Sequence, residues 1–151
     1  MLFNKKALIF LIIISCYLSF KNKNTFSFST PKGFPKLIVP DENPMTEDKI
    51  KLGKMLFFDK MMSRDSSISC ASCHNPKYAF TDQLKKSRGI KGRPTSRNTP
   101  TLMNIAYNSS FLRDGVNPSL EAQVIVPIHE KNEFDFHILL LAERMKKNQK
   151  Y

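Results

Sequence analysis

Cys70-Ala71-Ser72-Cys73-His74 is the stretch of this sequence whose residue types and spacing point most directly to a chemistry. Two thiols separated by two residues fit on one turn of helix, which brings both sulfurs to the same edge of a planar ligand. There they can form thioethers with the two vinyl groups of a porphyrin. The adjoining imidazole then offers the iron its proximal nitrogen, and this is the attachment pattern of a c-type haem. Other uses of a CxxC pair are less well supported. A zinc site needs four ligands, and beyond His74 the chain offers only His129 and His137, with no second cysteine pair. A thioredoxin-like redox pair follows a strand rich in β-branched residues, and none precedes this one. A structural disulfide is compatible with an exported chain, but if Cys70 and Cys73 carry haem no pair remains to form one.

The elements that must position the motif can be read from periodicity and punctuation. Thr46 is a candidate N-cap, with Glu47 and Asp48 in the first turn where the helix dipole favours acids, and a helix is expected to about Phe58. Ile50, Gly53 and Phe57 fall on one face of it, with Leu52, Met55 and Leu56 on the adjoining one. Gly53 is the point at which another backbone could approach closely. Asp59 to Ser69 is polar and turn-rich. The haem motif should open a short helix ended by Asn75-Pro76. From Thr81 to Pro100, Gly89, Gly92, Pro94 and Pro100 lie among Lys, Arg and Ser, which predicts a long irregular loop wrapped around the haem edge. Thr101 to Ala106 can form a short helix, and Leu120 to Val126 is compatible with helix or strand on its own periodicity, with helix preferred only because its surroundings are helical. Phe136 to Met145 is expected as the last helix, with Arg144, Lys146 and Lys147 at its C-terminal end. The expected class is mainly α, a cytochrome c-like haem domain with long irregular loops, spanning residues 45–151.

The start of the chain belongs to a different class. Lys5 and Lys6 precede an apolar run from Ala7 to Ile14, extended less cleanly to Phe20, which is too short to span a bilayer comfortably. Residues 1–20 read as an export signal. Ile13-Ile14-Ser15-Cys16 also fits a bacterial lipoprotein processing box, with Cys16 as the lipidated first residue, whereas ordinary cleavage between Ser19 and Ser29 would discard it. Either route exports the chain, and a periplasmic location agrees with haem c, which is attached outside the bacterial cytoplasm. Residues 21–44, rich in Lys, Asn, Ser, Thr and Pro, read as a linker and extended lead-in without regular structure.

The 151 residues include 24 Lys and Arg against 13 Asp and Glu, a formal net charge of +11. Residues 1–15 contain only two of those bases and no acid, so the excess belongs to the remainder. A basic face can steer an acidic electron-transfer partner or meet an anionic membrane surface. The bases are scattered and no DNA- or RNA-binding motif accompanies them, so nucleic acid is not expected as a partner.

The blocks around the motif resemble a known family, the bacterial di-haem cytochrome c peroxidases, including the related MauG group. Leu52-Gly53-Lys54-Met55-Leu56-Phe57-Phe58-Asp59, Ser63 and Ile68-Ser69-Cys70-Ala71-Ser72-Cys73-His74 are similar to the family's opening block. Arg97-Asn98-Thr99-Pro100-Thr101-Leu102 with Asn104, Phe111 with Asp114-Gly115, Leu120-Glu121 with Gln123, and Pro127-Ile128 follow in its order and spacing. The resemblance implies a periplasmic enzyme that reduces hydrogen peroxide to water with electrons from a small cytochrome c or cupredoxin. It implies that His74 is the proximal ligand of a peroxidatic haem. Glu133 would be the distal acid that moves protons as the O–O bond breaks, with Gln123 a polar residue beside it. Asn98 matches a ligand of a calcium ion between the two haem domains.

The sequence also departs from that pattern. It holds one CxxCH where the family carries two, which implies a truncated or split product, with the electron-passing haem on a second chain. Ser87-Arg88-Gly89 leads to Ile90 where many members place a distal histidine, which implies an open sixth position. Arg113 stands where members place a tryptophan, and Glu130-Lys131-Asn132 replaces the usual Asn-Pro before the distal acid. Two further readings follow from the residues: a mono-haem electron carrier whose sixth ligand is Met103, Met145, His129 or His137, and an inactive fragment of a split di-haem peroxidase.

Overall fold

The computed structural model describes residues 25–151. Residues 1–20, expected to be an export signal, with Cys16 among them, and the first residues of the lead-in lie outside the described residues. The chain divides between Ile50 and Lys51 into two compact units. In the first, residues 25–46 carry no helix or strand, as their composition predicts. Thr25 and Thr46 form an isolated antiparallel bridge, the Phe26 N–H donates to the Met45 carbonyl at 2.8 Å, and turns follow Pro31 and Pro40. Thr46 caps helix α1, Glu47–Phe58, by accepting from the Lys49 N–H at 3.2 Å.

The second unit is helical with long loops, as expected. Helix α2 is the single turn Cys70–Cys73, α3 is Leu120–His129 and α4 is Ile138–Lys146. Among the described residues there is no strand, only isolated bridges, of which Asn75 with Thr81, Arg88 with Pro94 and Phe111 with Asn117 tie loops closed. No described helix is long and apolar enough to cross a membrane.

The core joins the two ends of this unit. Met61 and Met62, on a 3-10 turn capped by Asp59, pack with Ile128 of α3, Leu141 of α4 and Phe134 between them. Arg144 of α4 locks this closure, donating to the carbonyls of Met61 and Ser63 at 2.8 Å and of Arg64 at 3.0 Å, with its guanidinium 4.0 Å above the Phe136 ring. Asp59 accepts from both Lys150 and Tyr151 at 2.6 Å, which ties the last residues to the same turn.

Three local expectations are corrected. Thr101 to Ala106 is not a helix; only a 3-10 turn forms, at Ile105–Tyr107, because Asn104 sits in the left-handed region at φ 57° and stops helical propagation. The Thr101 hydroxyl is occupied in a turn, donating to Ala79 O and accepting from the Met103 N–H. Among the described residues no backbone approaches Gly53, where a Cβ would meet nothing within 4 Å. The last helix starts at Ile138 rather than Phe136, because Asp135 is left-handed at φ 47° and the Phe136 N–H is drawn to the Ile128 carbonyl at 2.8 Å.

Candidate functional site

Helix α2 presents the motif as its spacing predicts. Ser69 precedes it, with its N–H donating to the Ser72 hydroxyl at 3.0 Å, and the His74 N–H closes the turn on the Cys70 carbonyl at 2.8 Å. Both cysteines are free thiols and half-buried. Cys70 packs on the core. Cys73 faces the 87–99 loop, its Sγ 3.9 Å from the Arg88 carbonyl and beside the hydroxyls of Ser87 and Thr99. Those hydroxyls bond to each other at 2.5 Å, and Ser87 is fully buried. Burial pushes both thiols up to about 11; for Cys73 the carboxylates of Asp82 and Glu133 add to it.

The loop after the motif sets the histidine. Asn75 pairs with Thr81, the Phe80 N–H donates to the Asn75 carbonyl at 2.9 Å, and Ala79 and Phe80 both adopt positive φ, 51° and 61°. This backbone turns the Phe80 carbonyl to 3.1 Å from His74 Nδ1. A carbonyl can only accept, so Nδ1 carries the hydrogen and Nε2 keeps its lone pair, the arrangement that orients a metal-binding imidazole. Burial lowers the His74 pKa, opposed by the Phe80 and Pro100 backbone and by Asp82. Two free thiols on one turn beside an imidazole in this tautomer fit a covalently held haem c.

Glu133 lies in the loop between α3 and α4, and the 87–94 loop is pressed against it. The Ile90 N–H donates to the Glu133 carbonyl at 2.9 Å. A Cβ on Gly89 would overlap the Asn132 carbonyl oxygen and come within 2.7 Å of its carbon and 2.8 Å of Glu133 Cα. Glycine is therefore the residue that allows this approach. The Glu133 side chain is half-buried, and burial first, then the neighbouring Glu130, raises its pKa above the usual 4.5. Arg88, whose carbonyl lies beside Cys73 Sγ, directly precedes the Gly89 and Ile90 backbone that meets Glu133, which brings the two sequence-derived candidates into one neighbourhood.

Other candidates are engaged elsewhere. Gln123 on α3 accepts from Asn117 Nδ2 at 2.5 Å. The exposed Asn98 accepts on Oδ1 from the Arg113 guanidinium at 3.0 Å, and among the described residues no three His, Cys, Asp or Glu side chains gather to hold a metal. His129 Nε2 and His137 Nδ1 accept from the N–H groups of Ile138 and Leu139 at 3.1 and 3.2 Å, so the two rings, 4.8 Å apart, together cap α4. Met145 packs on the core and Met103 is exposed. The Phe80 carbonyl was not identified from the sequence, and Ser87, Gly89 and Thr99 were named there only as loop residues or through the resemblance, without their contacts; a glycine or serine in a polar loop gives no local sign of what it will touch.

The sequence profile of di-haem cytochrome c peroxidases matches residues 47–151. The methylamine utilization protein MauG of Methylorubrum extorquens is 41% identical over 119 residues, covering 79% of this chain and 33% of that protein. The cytochrome c551 peroxidase of Nitrosomonas europaea is 38% identical over 98 residues, 65% of this chain and 28% of that one. A crystal structure of a MauG-like protein associated with microbial copper homeostasis superposes with a TM-score of 0.77 at 30% identity, covering 84% of this chain and 38% of its own. The chain thus spans about a third of the length of the curated relatives it matches.

Proposed function

The chain belongs to the di-haem cytochrome c peroxidase family, and from that premise we propose that residues 45–151 act as a peroxidatic haem domain. Cys70 and Cys73 hold one haem c and His74 is its proximal ligand. When bound, the haem supplies the iron at which hydrogen peroxide is held and reduced. The remaining work belongs to protein groups. Glu133 takes a proton from peroxide and returns it to the departing oxygen, so that two electrons and two protons convert one peroxide to two waters. Burial raises the Glu133 pKa above its ordinary value, which makes its carboxylate a stronger base toward the peroxide proton than an exposed one. Gln123 serves as a polar neighbour in the pocket.

The electrons come from an external donor, a small cytochrome c or cupredoxin, directly or through a second haem domain carried on another chain. The protein is exported to the periplasm by residues 1–20, with lipidation at Cys16 as the alternative to removal of that residue. Calcium at Asn98 is left as a secondary element of the reading, since its side-chain oxygen already accepts from Arg113.

The observation that carries this reading is the half-buried Glu133, whose backbone is pressed by Gly89 and Ile90, the residues that follow the Arg88 carbonyl beside Cys73 Sγ. The electron-carrier reading needs a sixth side-chain ligand, and His129 and His137 already use one nitrogen each to cap α4. The test is the absorption spectrum of the haem-loaded ferric protein before and after hydrogen peroxide. A high-spin spectrum that changes rapidly with peroxide, and more slowly in Glu133→Gln, is expected. A low-spin spectrum indifferent to peroxide overturns the reading in favour of the carrier.

A further inference from the structure

We infer that Asp135 is a positioning residue for Glu133, acting through a two-arginine clamp that binds the acid-bearing loop to the loop facing it. The inference rests on the role proposed for Glu133 and extends it to a group that touches no reacting atom.

The loop between α3 and α4 is held locally by its own backbone. The N–H groups of Glu133 and Asp135 both donate to the Glu130 carbonyl at 3.0 Å, and Phe134 donates to Pro127 O at 3.1 Å. Those bonds shape the loop without fixing it against the rest of the domain. Phe134 anchors one side of it in the core, and Asp135 supplies the side-chain tie on the other. Its Oδ2 meets Arg93 Nη1 at 3.1 Å and its Oδ1 meets Arg64 Nη2 at 3.3 Å, so each carboxylate oxygen holds a guanidinium from a different segment. Both arginines bind the loop backbone as well. Arg93 Nη1 donates to Lys131 O at 2.8 Å, Arg64 Nε donates to Asp135 O, and the Arg64 N–H donates to Phe134 O at 3.0 Å. Arg93 closes the loop that carries Gly89 and Ile90, since its carbonyl accepts from the Gly89 N–H at 2.9 Å. The carboxylate therefore fastens the two sides of the contact at which Ile90 meets Glu133.

An isolated exposed ion pair would be a weak device. Here the Asp135 side chain is 19% exposed and Arg93 31%, and one carboxylate is shared by two guanidiniums that also bind backbone carbonyls. Asp135 also adopts φ 47°, a conformation that Asp and Asn accept more readily than other side chains. Asp135→Asn thus removes the charge while keeping shape and backbone tolerance.

The test uses the haem-loaded full chain with Asp135→Asn, Glu133→Gln and the double variant. Misplacing a proton-transfer group by about 1 Å is expected to slow the peroxide-driven spectral change on the order of tenfold or more in Asp135→Asn. In the Glu133→Gln background the same substitution should change the rate less than about twofold, because positioning has no effect once the acid is gone. Amide hydrogen exchange supplies a readout independent of turnover. The Ile90 and Phe134 amides should exchange on the order of tenfold faster in Asp135→Asn, with the Thr95 amide, bonded to Ser87 O at 3.0 Å, unchanged. Unaltered exchange at Ile90, or equal slowing in both backgrounds, overturns the inference. A wild-type rate in Glu133→Gln alone instead defeats the role given to that acid, while the exchange result still decides the clamp. If Asp135→Asn fails to fold, Arg93→Gln, which leaves the Arg64 pair intact, carries the same comparison.

Discussion

Gly89→Ala and Gly53→Ala make the same chemical change in two surroundings and should move stability in opposite directions. At Gly89 the new methyl would stand 2.7 Å from Asn132 C and 2.8 Å from Glu133 Cα, where ordinary contact begins near 3.4 Å. These are backbone atoms and cannot swing aside, and the overlap with the Asn132 carbonyl oxygen is deeper still, so the two loops must part by more than about 0.7 Å and the Ile90 to Glu133 hydrogen bond, 2.9 Å long, must stretch or break. Overpacking costs about 1–3 kcal/mol and a lost hydrogen bond about 0.5–1.5 kcal/mol, together about 2–4 kcal/mol. For a unit of this size that lowers the Tm by roughly 10–25 °C. Gly53 lies inside α1 with open space around its Cβ position, so alanine there should stabilise by about 0.5–1 kcal/mol, a rise of roughly 3–6 °C. Thermal unfolding of the three haem-loaded proteins, followed by far-UV circular dichroism, measures both. A Gly89→Ala protein melting within about 2 °C of the parent would refute the close approach on which the placement of Glu133 depends.

Arg144→Ala removes three carbonyl hydrogen bonds and the stack on Phe136, and urea unfolding should show a loss of about 2–4 kcal/mol, only partly recovered by Lys, which lacks the planar fork. The bonds from Lys150, Tyr151 and the Met61 N–H hold the Asp59 carboxyl at about 2 against an ordinary 3.8. A depressed folded-state pKa stabilises above the unfolded value and is lost as pH falls through the folded one. The urea midpoint should therefore fall from about pH 3.8 toward pH 2, more steeply than in Asp59→Asn. Replacing Cys70 and Cys73 together by Ser should abolish haem that survives denaturing electrophoresis, whereas His74→Ala should keep the covalent haem and alter its spectrum; covalent haem in the double serine variant would contradict the attachment assigned here.

What could be read from the sequence was local. Thr46 capping α1, the single turn at Cys70–Cys73 and the final helix each depend on residues a few positions apart, and each was recovered within two residues. The short run Leu120 to Val126 was compatible with helix or strand by itself, and in the structure it is helical to His129. Where the sequence misled, a single backbone conformation decided, as at Asn104, whose residue type permits a left-handed φ without dictating it. Gly53 and Gly89 show the same limit from the other side. Close approach was assigned to the glycine in the periodic helix, yet it occurs at the one in the irregular loop, against residues more than forty positions away. Likewise His129 and His137 looked like spare ligands because imidazoles are metal-binding, and nothing short of the fold reveals that they cap α4 together.

The closure of the core by Arg144 also bears on how the chain matures. Its carbonyl partners lie 80 to 83 positions earlier, and Asp59 waits 91 and 92 positions for Lys150 and Tyr151. Contacts of such long range form late, because the intervening loop must be ordered before they repay its entropy. Before those contacts form, the chain passes through an interval in which its last helix is not yet docked. Throughout that interval Cys70, Cys73 and His74 sit on a nascent segment with no finished core behind them. The wiring of the fold thus leaves the thiols of Cys70 and Cys73 accessible until the distal helices arrive and half-bury them.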